Sequence, residues 1–147
     1  MDVIINFNDK RLEHEGYIER KILKFISIHT LHKNISLSFA MFFHNNCIDS
    51  SIVQDGCVES GIDAFVLGVK CSRLSLFEDP VDVMEKRSKR DVVNLINSLH
   101  HFLLTWGLAK EIEGIEESLL FACQEYIQNA WLYGFDLGRK KRKLRQL

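Results

Sequence analysis

The sequence predicts an all-α fold, a single-domain bundle of about five helices. Among 147 residues there are only one proline and eight glycines, far fewer turn residues than an all-β sandwich of this size needs. Apolar residues recur at intervals of three and four over long segments, as in amphipathic helices. The length fits one ordinary domain, and 46% hydrophobic with 27% charged residues indicates a soluble globular chain and excludes extensive disorder.

Two helices are predicted in the N-terminal third. Residues 1–8 are mostly apolar and form either a short strand or, as we favour, a lead-in segment that packs on the bundle. A first helix is predicted over 9–30 because its apolar residues fall on one face: Leu12, Ile18, Ile22, Phe25, Ile26 and His29. A second helix over 34–46 is apolar around most of its circumference, which predicts burial on all sides.

The third helix is predicted over 51–73, and its start matches a capping box, Ser51-Ile52-Val53-Gln54. Small side chains recur along it in steps of four and three residues, which places them in one stripe. Because glycine is unfavourable inside a helix, the stripe predicts close packing against another helix, with a groove kept open for a ligand as the alternative. The small-residue stripe consists of Cys57, Gly61, Ala64, Gly68 and Cys71.

Two further helices complete the predicted bundle. Asp79-Pro80 has the residue types of an N-cap and a first helical position, and this fourth helix extends to Trp106 unless the charged block at 85–91 interrupts it. The fifth helix begins near Ile115 and continues into the basic C-terminal residues. Without a repeat or linker, we predict one helical domain over 1–138 and a basic tail over 139–147.

The charges are divided unevenly along the chain. The net charge is −1, from 19 basic and 20 acidic residues, but the last nine residues contain six of the basic ones and no acid, so residues 1–138 carry 13 basic and 20 acidic residues, a net −7. One or two cations would complement a helix C-terminus, and six exceed that need. We therefore predict a projecting, anion-binding tail formed by Arg139, Lys140, Lys141, Arg142, Lys143 and Arg145.

A zinc site is the most tempting metal motif. His29-x-x-His32 and His44-x-x-Cys47 have the spacing of zinc ligands. The segment between the two pairs is a strongly apolar helix rather than a polar knuckle, so we predict no metal and no cofactor.

Catalytic motifs are also weak. Phosphate loops, nucleophile elbows and the Glu-x-x-His pairs of di-iron bundles do not occur in the sequence. His100-His101 fits one hydrogen-bonded core histidine better than an acid–base pair. Glu59 and Asp63 lie four residues apart, but paired carboxylates alone are too common to indicate catalysis.

The sequence predicts a cytoplasmic protein with reduced thiols. Residues 1–15 lack the basic start and apolar core of a signal peptide, and no segment of about 20 residues is apolar enough for a membrane span. The four cysteines, Cys47, Cys57, Cys71 and Cys123, form no C-x-x-C pair, and without a secretion signal disulfides are not expected.

Two blocks of the sequence are distinctive: DGCVESGIDAFVLG at 55–68, and YIQNAWLYGF at 126–135 followed by the GRKKRKLRQL end. They resemble the YbaK-type family of small cytoplasmic proteins from Bacillus and its relatives, which is distinct from the tRNA deacylase of the same name. The resemblance extends over the whole chain in layout and is weakest over 73–94. It implies a helical fold and a Gram-positive, spore-forming background, and it implies no activity, substrate or cofactor.

We therefore expect a non-catalytic interaction or regulatory module with a protein partner. The alternative is a nucleic-acid-associated protein whose tail binds the phosphate backbone in a salt-sensitive way. Such binding should be weak, because the rest of the chain is acidic and no aromatic residue in the tail can stack on bases. A third class, an enzyme or ligand-binding bundle, would place its site against the stripe between Gly61 and Gly68.

Overall fold

The computed structural model describes residues 16–17, 20–44, 50–74, 81–107 and 114–144, which are almost entirely helical and contain no strand. The chain forms one all-α domain, as predicted. Helix α1 is Ile28–His44, α2 is Ser50–Leu74, α3 is Val81–Phe102 and α4 is Ile115–Lys143, and a π-helical turn, Leu103–Gly107, follows α3 directly. Within these ranges, no helix combines the length and the apolarity that a bilayer span requires.

The break between the first two helices lies earlier than predicted. The chain turns at 24–27 and α1 begins at Ile28, so the helix predicted over 9–30 is wrong at its end. Ser27 explains the new start, because its hydroxyl accepts a 3.2 Å hydrogen bond from the Thr30 amide as an N-cap does. The Ser27 amide in turn donates to the Tyr133 hydroxyl of α4 at 3.2 Å. The predicted lead-in at 1–8 lies outside the described residues.

Helix α1 packs on one side only, so the predicted burial on all sides is wrong. Leu37 is 70% exposed and Met41 is 58% exposed. High apolar content around the helix therefore does not place it in the centre of the bundle. Its inner face is a row of buried residues at helical spacing: Leu31, Ile35, Phe39 and Phe42.

Helices α2 and α4 run parallel to each other. Gly61 lies beside the Tyr126 side chain, and Gly138 lies beside Ser72 eleven residues further along α2. Contacts therefore advance in the same direction along both helices. The predicted range of α2 is right to within one residue at each end.

Helix α3 runs antiparallel to both. Its end meets the start of α2, where the Phe102 ring contacts Gly56, and its first half lies beside the end of α2, where Ser88 neighbours Cys71. The charged block at 85–91 does not interrupt α3, because Met84 and Ser88 are buried one turn apart. The Ser88 hydroxyl donates a 3.1 Å hydrogen bond to the Met84 carbonyl. The predicted N-cap at Asp79-Pro80 lies outside the described residues.

Candidate functional site

Glycines bring α2 and α4 into direct backbone contact. A Cβ atom on Gly68 would collide with the Trp131 carbonyl oxygen and lie 2.8 Å from the Phe135 amide nitrogen. A Cβ atom on Gly134 would collide in the same way with the Phe65 carbonyl oxygen. Each helix therefore provides a glycine at the point where the backbone of the other helix passes. We call this contact the glycine seam.

The rest of the small-residue stripe also faces the interior. Cys57, Ala64 and Cys71 are buried, and Gly61 leaves room for the Tyr126 hydroxyl. Since α4 occupies the space over Gly61 and Gly68, a ligand has no room there.

Burial makes the three described thiols poor nucleophiles. Burial raises the pKa of Cys123 to about 12. The pKa of Cys57 is raised further, by burial and by the neighbouring Cys123. Burial also raises the pKa of Cys71, against the opposing effects of the Trp131 and Ser88 side chains. All three are free cysteines, and the thiolate that catalysis would need is strongly disfavoured.

The adjacent histidines of α3 have different surroundings. His100 is half-buried, and its Nε2 atom lies 2.9 Å from the Glu116 carbonyl oxygen at the start of α4. His101 is exposed. His100 therefore links two helices, which is a structural role.

The residues of the rejected zinc motif are only partly described. His29 and His32 are exposed on α1, so His29 does not continue an apolar face as the sequence predicted. The His44 side chain and Cys47 lie outside what the structure describes. Within the described ranges, no three histidine, cysteine or acidic side chains are placed to hold a metal ion.

A group of cations lies where α2 and α4 end side by side. Gly138 is buried, and a Cβ atom on it would lie 3.3 Å from the Val69 Cα atom. This close approach brings Arg73, in the last turn of α2, to Arg139 and Arg142 in the last turns of α4. We call these three residues the arginine cluster, and all three are half-buried.

Aromatic rings hold two of the basic side chains of α4. The Trp131 and Phe135 rings are stacked with centroids 5.0 Å apart, and the Arg139 guanidinium lies 4.5 Å from the Phe135 centroid. The Lys141 ammonium lies 4.8 Å from the Phe25 centroid. Such cation–π contacts fix the direction of a flexible side chain.

The structure describes five of the six basic residues of the predicted projecting tail. Helix α4 continues to Lys143, and Lys140 and Lys143 are exposed, whereas Arg139, Lys141 and Arg142 pack back onto the bundle as half-buried side chains. The long aliphatic stems of arginine and lysine explain how these cations cover apolar surface while remaining hydrated. Arg145 lies outside the described residues.

The neighbouring positive charges affect the pKa of Arg142. Its Nε atom donates a long, 3.5 Å hydrogen bond to the Gly138 carbonyl oxygen. Its pKa is lowered from the ordinary value, first by burial and then by repulsion from Arg139 and Arg73. Arg142 therefore lies close enough to Arg139 and to Arg73 to be repelled by both.

The first half of α3 carries further exposed cations, of which Lys86 and Lys89 line a groove together with Gln128 and Asn129 of α4. Because α3 is antiparallel to α2 and α4, its first turns lie where those helices end. Glu85, Asp91 and Asp136 are acidic residues in the same half. We define the basic end as the arginine cluster together with Lys86, Arg87, Lys89, Arg90, Lys140, Lys141 and Lys143.

The sequence alone did not reveal that Arg73 and the basic residues of α3 belong to the same basic end as the tail. Arg73 and Arg90 are separated from the tail by about 50 residues or more of chain. The antiparallel order of α3, deducible from its short connections, is the signal that would have joined them.

The opposite end of the bundle is acidic. The first turns of α2 and α4 lie there, and their acids are exposed: Asp55, Glu59, Glu116, Glu117 and Glu125. The −7 charge of residues 1–138 is therefore not spread evenly over the surface.

A groove of about 610 Å³ lies between α3 and α4. Lys86 and Lys89 of the basic end lie on its α3 wall, and Gln124, Gln128 and Asn129 lie on its α4 wall. It gives the basic end a continuation along the side of the bundle.

Comparison with known proteins identifies the family. The family model described as protein of unknown function DUF2521 matches residues 1–147. The uncharacterized protein YbaK of Bacillus subtilis (strain 168) is 20% identical over 145 residues, which cover 99% of each chain. No solved structure matches the chain. Since the family model covers the full sequence, the chain belongs to the DUF2521 family.

Proposed function

We propose that the protein is a cytoplasmic, non-catalytic interaction module that binds an acidic protein partner through its basic end. The convergence of Arg73, Arg139 and Arg142 at one end of the bundle carries this proposal. These side chains come from two helices that the glycine seam holds parallel. The charged surface is thus built by the fold.

The number of cations exceeds what helix ends require. A helix C-terminus carries about half a negative charge, and α2 and α4 together present two such ends. The last turn of α4 alone has four basic residues, Lys140, Lys141, Arg142 and Lys143, beside Arg73 in the last turn of α2. The surplus positive charge favours an external anion as its counterpart.

The buried thiols and the structural contact of His100 favour a binding role over a catalytic one. Catalytic acids, bases and nucleophiles need pKa values matched to their task, whereas burial moves the thiols away from reactivity. The glycine seam also fills the site that the enzyme alternative placed at Gly68.

An acidic protein segment fits the basic end better than nucleic acid does. A nucleic-acid backbone that extended past the basic end would meet the exposed acidic residues of the opposite half of the bundle. Among the described aromatic residues of this region, Phe25 and Phe135 are covered by Lys141 and Arg139 and are not free to stack on bases. Leu144 is 58% exposed directly after the basic turns, and exposed apolar surface beside charge is typical of protein interfaces.

Direct binding of defined probes tests the proposal. We would measure the fluorescence anisotropy of a labelled Asp/Glu-rich peptide, and of single-stranded RNA and duplex DNA of matched charge, over a salt series. We expect the acidic peptide to bind more tightly than either nucleic acid at every salt concentration. Binding should weaken with salt, because the contacts are charged and accessible.

Charge-removing variants locate the surface. The double variant Lys140→Gln/Lys143→Gln removes two exposed cations from the basic end, and Lys33→Gln removes one exposed cation from α1 as a control for charge removal elsewhere. We expect weaker peptide binding in the double variant and unchanged binding in the control. Tighter binding of RNA or DNA, or equal losses in both variants, would contradict the proposal.

A further inference from the structure

We propose that the arginine cluster, Arg73, Arg139 and Arg142, is a binding site for a phosphate monoester carried by a side chain of the partner. The partner would then be a phosphorylated acidic protein segment. This inference rests on the proposed function, because it identifies the group that the basic end recognises.

The first argument is the position of the three side chains. Gly138 allows α4 to lie against Ser72, so Arg73 stands next to the last turns of α4. Arg139 is held over the Phe135 ring, and Arg142 is tied to the Gly138 carbonyl. Two of the three guanidinium groups thus have fixed directions before a ligand arrives, which lowers the entropy lost on binding.

The second argument is the choice of residue within the basic run. The sequence Arg139-Lys140-Lys141-Arg142-Lys143 places its two arginines three residues apart, on one face of α4. Of the two, Arg142 is repelled by Arg73. Lys140 and Lys143 are exposed, while the arginines are half-buried. Arginine is favoured where planar, bidentate recognition of an oxyanion is needed, whereas lysine acts as a point charge.

The third argument is charge balance. Arg142 is repelled by both Arg139 and Arg73, and an anion bound among the three would relieve that repulsion. A carboxylate or a phosphodiester supplies a single negative charge. A phosphate monoester supplies about −1.5 to −2 at neutral pH with three acceptor oxygens, so it would offset more of the repulsion at Arg142.

The test uses one acidic peptide in two forms, with serine or with phosphoserine at its centre. We expect the phosphopeptide to bind the wild-type protein about tenfold more tightly than the serine form, as new charge-assisted hydrogen bonds imply. Inorganic phosphate should displace the phosphopeptide more effectively than chloride at the same ionic strength. Free phosphate and the phosphorylated side chain share the chemistry, and the peptide pair measures the contribution of the phosphoryl group within a partner.

Three variants assign the effect to the cluster. Arg73→Lys keeps the charge and removes the planar fork, so the ratio of the two dissociation constants should fall towards one. Lys143→Gln removes an exposed charge outside the cluster, so it should weaken both peptides and preserve the ratio. Lys33→Gln should change neither. Circular dichroism and the thermal midpoint confirm that each variant is folded.

The outcomes separate this inference from the proposed function. Equal binding of the two peptides, or a ratio that Arg73→Lys leaves intact, would overturn the phosphate site and leave the acidic-partner proposal standing. Phosphate-specific binding with no affinity for the acidic serine peptide would overturn the proposed function and retain the site. RNA and inorganic phosphate can also be compared as competitors of the phosphopeptide. If RNA displaces it at a lower concentration of phosphate groups than inorganic phosphate does, the ligand is not a protein-borne phosphate monoester.

Discussion

The Tyr126 hydroxyl donates a 2.6 Å hydrogen bond to the Cys57 carbonyl oxygen, across 69 residues of sequence. Both residues are fully buried, and Gly61 makes the approach feasible because its missing side chain leaves room for the phenol. The bond fixes the register of α2 against α4 before the backbones meet in the glycine seam, at Phe65 and Gly68 further along α2. A polar contact thus specifies an interface that apolar packing stabilises.

Tyr126→Phe should reduce the free energy of unfolding by about 1 kcal/mol, the usual net contribution of one hydrogen bond. It should also change the response to alkali. Burial raises the pKa of Tyr126 above its ordinary 10.0, so the unfolded chain loses this proton first and wild-type stability falls as the pH rises past 10. The variant should lose stability less steeply there. Urea denaturation between neutral and alkaline pH measures both effects, and identical curves for the two proteins would refute them.

Gly68→Ala should destabilise the bundle by about 1–3 kcal/mol or more, because its Cβ atom would overpack against the backbone of α4. Gly16→Ala is the matched control. A Cβ atom there meets nothing closer than an Arg20 guanidinium nitrogen at 3.9 Å, and alanine favours helix by about 1 kcal/mol. Chemical denaturation should therefore lower the midpoint for Gly68→Ala and leave it equal or higher for Gly16→Ala. A Gly68→Ala midpoint as high as that of the control would show that the seam is loosely packed.

The buried thiols should resist alkylation in the native protein. Cys57, Cys71 and Cys123 are all buried, and burial raises the pKa of each. Iodoacetamide near pH 8 should leave these three unmodified in the folded state and modify them all in urea, as peptide mass spectrometry would show. Rapid native labelling of Cys123, whose pKa is about 12, would contradict the described packing.

The α3 cations should contribute to the same binding surface as those of α4. Lys89→Gln/Arg90→Gln removes two exposed charges, and we expect it to weaken binding of the acidic peptide by a factor similar to that of Lys140→Gln/Lys143→Gln. Each double variant removes two positive charges, so a general effect of net charge on binding would be the same in both. If the α3 variant binds like the Lys33→Gln control, the basic end is confined to the ends of α2 and α4.

Periodicity in the sequence predicted the centre of the fold well. The range of α2 and the start of α4 at Ile115 agree with the structure. Residues three and four positions apart lie on the same face of a helix whatever packs against it. This part of the fold can therefore be predicted from the sequence.

The predictions that failed depend on distant residues. The start of α1 at Ile28 follows a turn whose Ser27 amide is held by Tyr133, 106 residues later. The exposure of Leu37 and Met41 depends on which side of α1 has a neighbour. The arginine cluster depends on the parallel arrangement of α2 and α4. The run of basic residues in the sequence therefore identified Arg139 and Arg142 as candidate anion-binding residues but not Arg73.

The glycine seam also determines when the molecule can fold. Gly68 and its contact at Trp131 lie 63 residues apart, and α4 leaves the ribosome after α1, α2 and α3. Contacts between distant parts of the chain form slowly, because a large loop must close first. During synthesis the stripe of α2 remains uncovered until α4 emerges, so the nascent chain has a window of exposure to chaperones and proteases. Translation that stops before residue 115 would release three helices without the surface that completes their core.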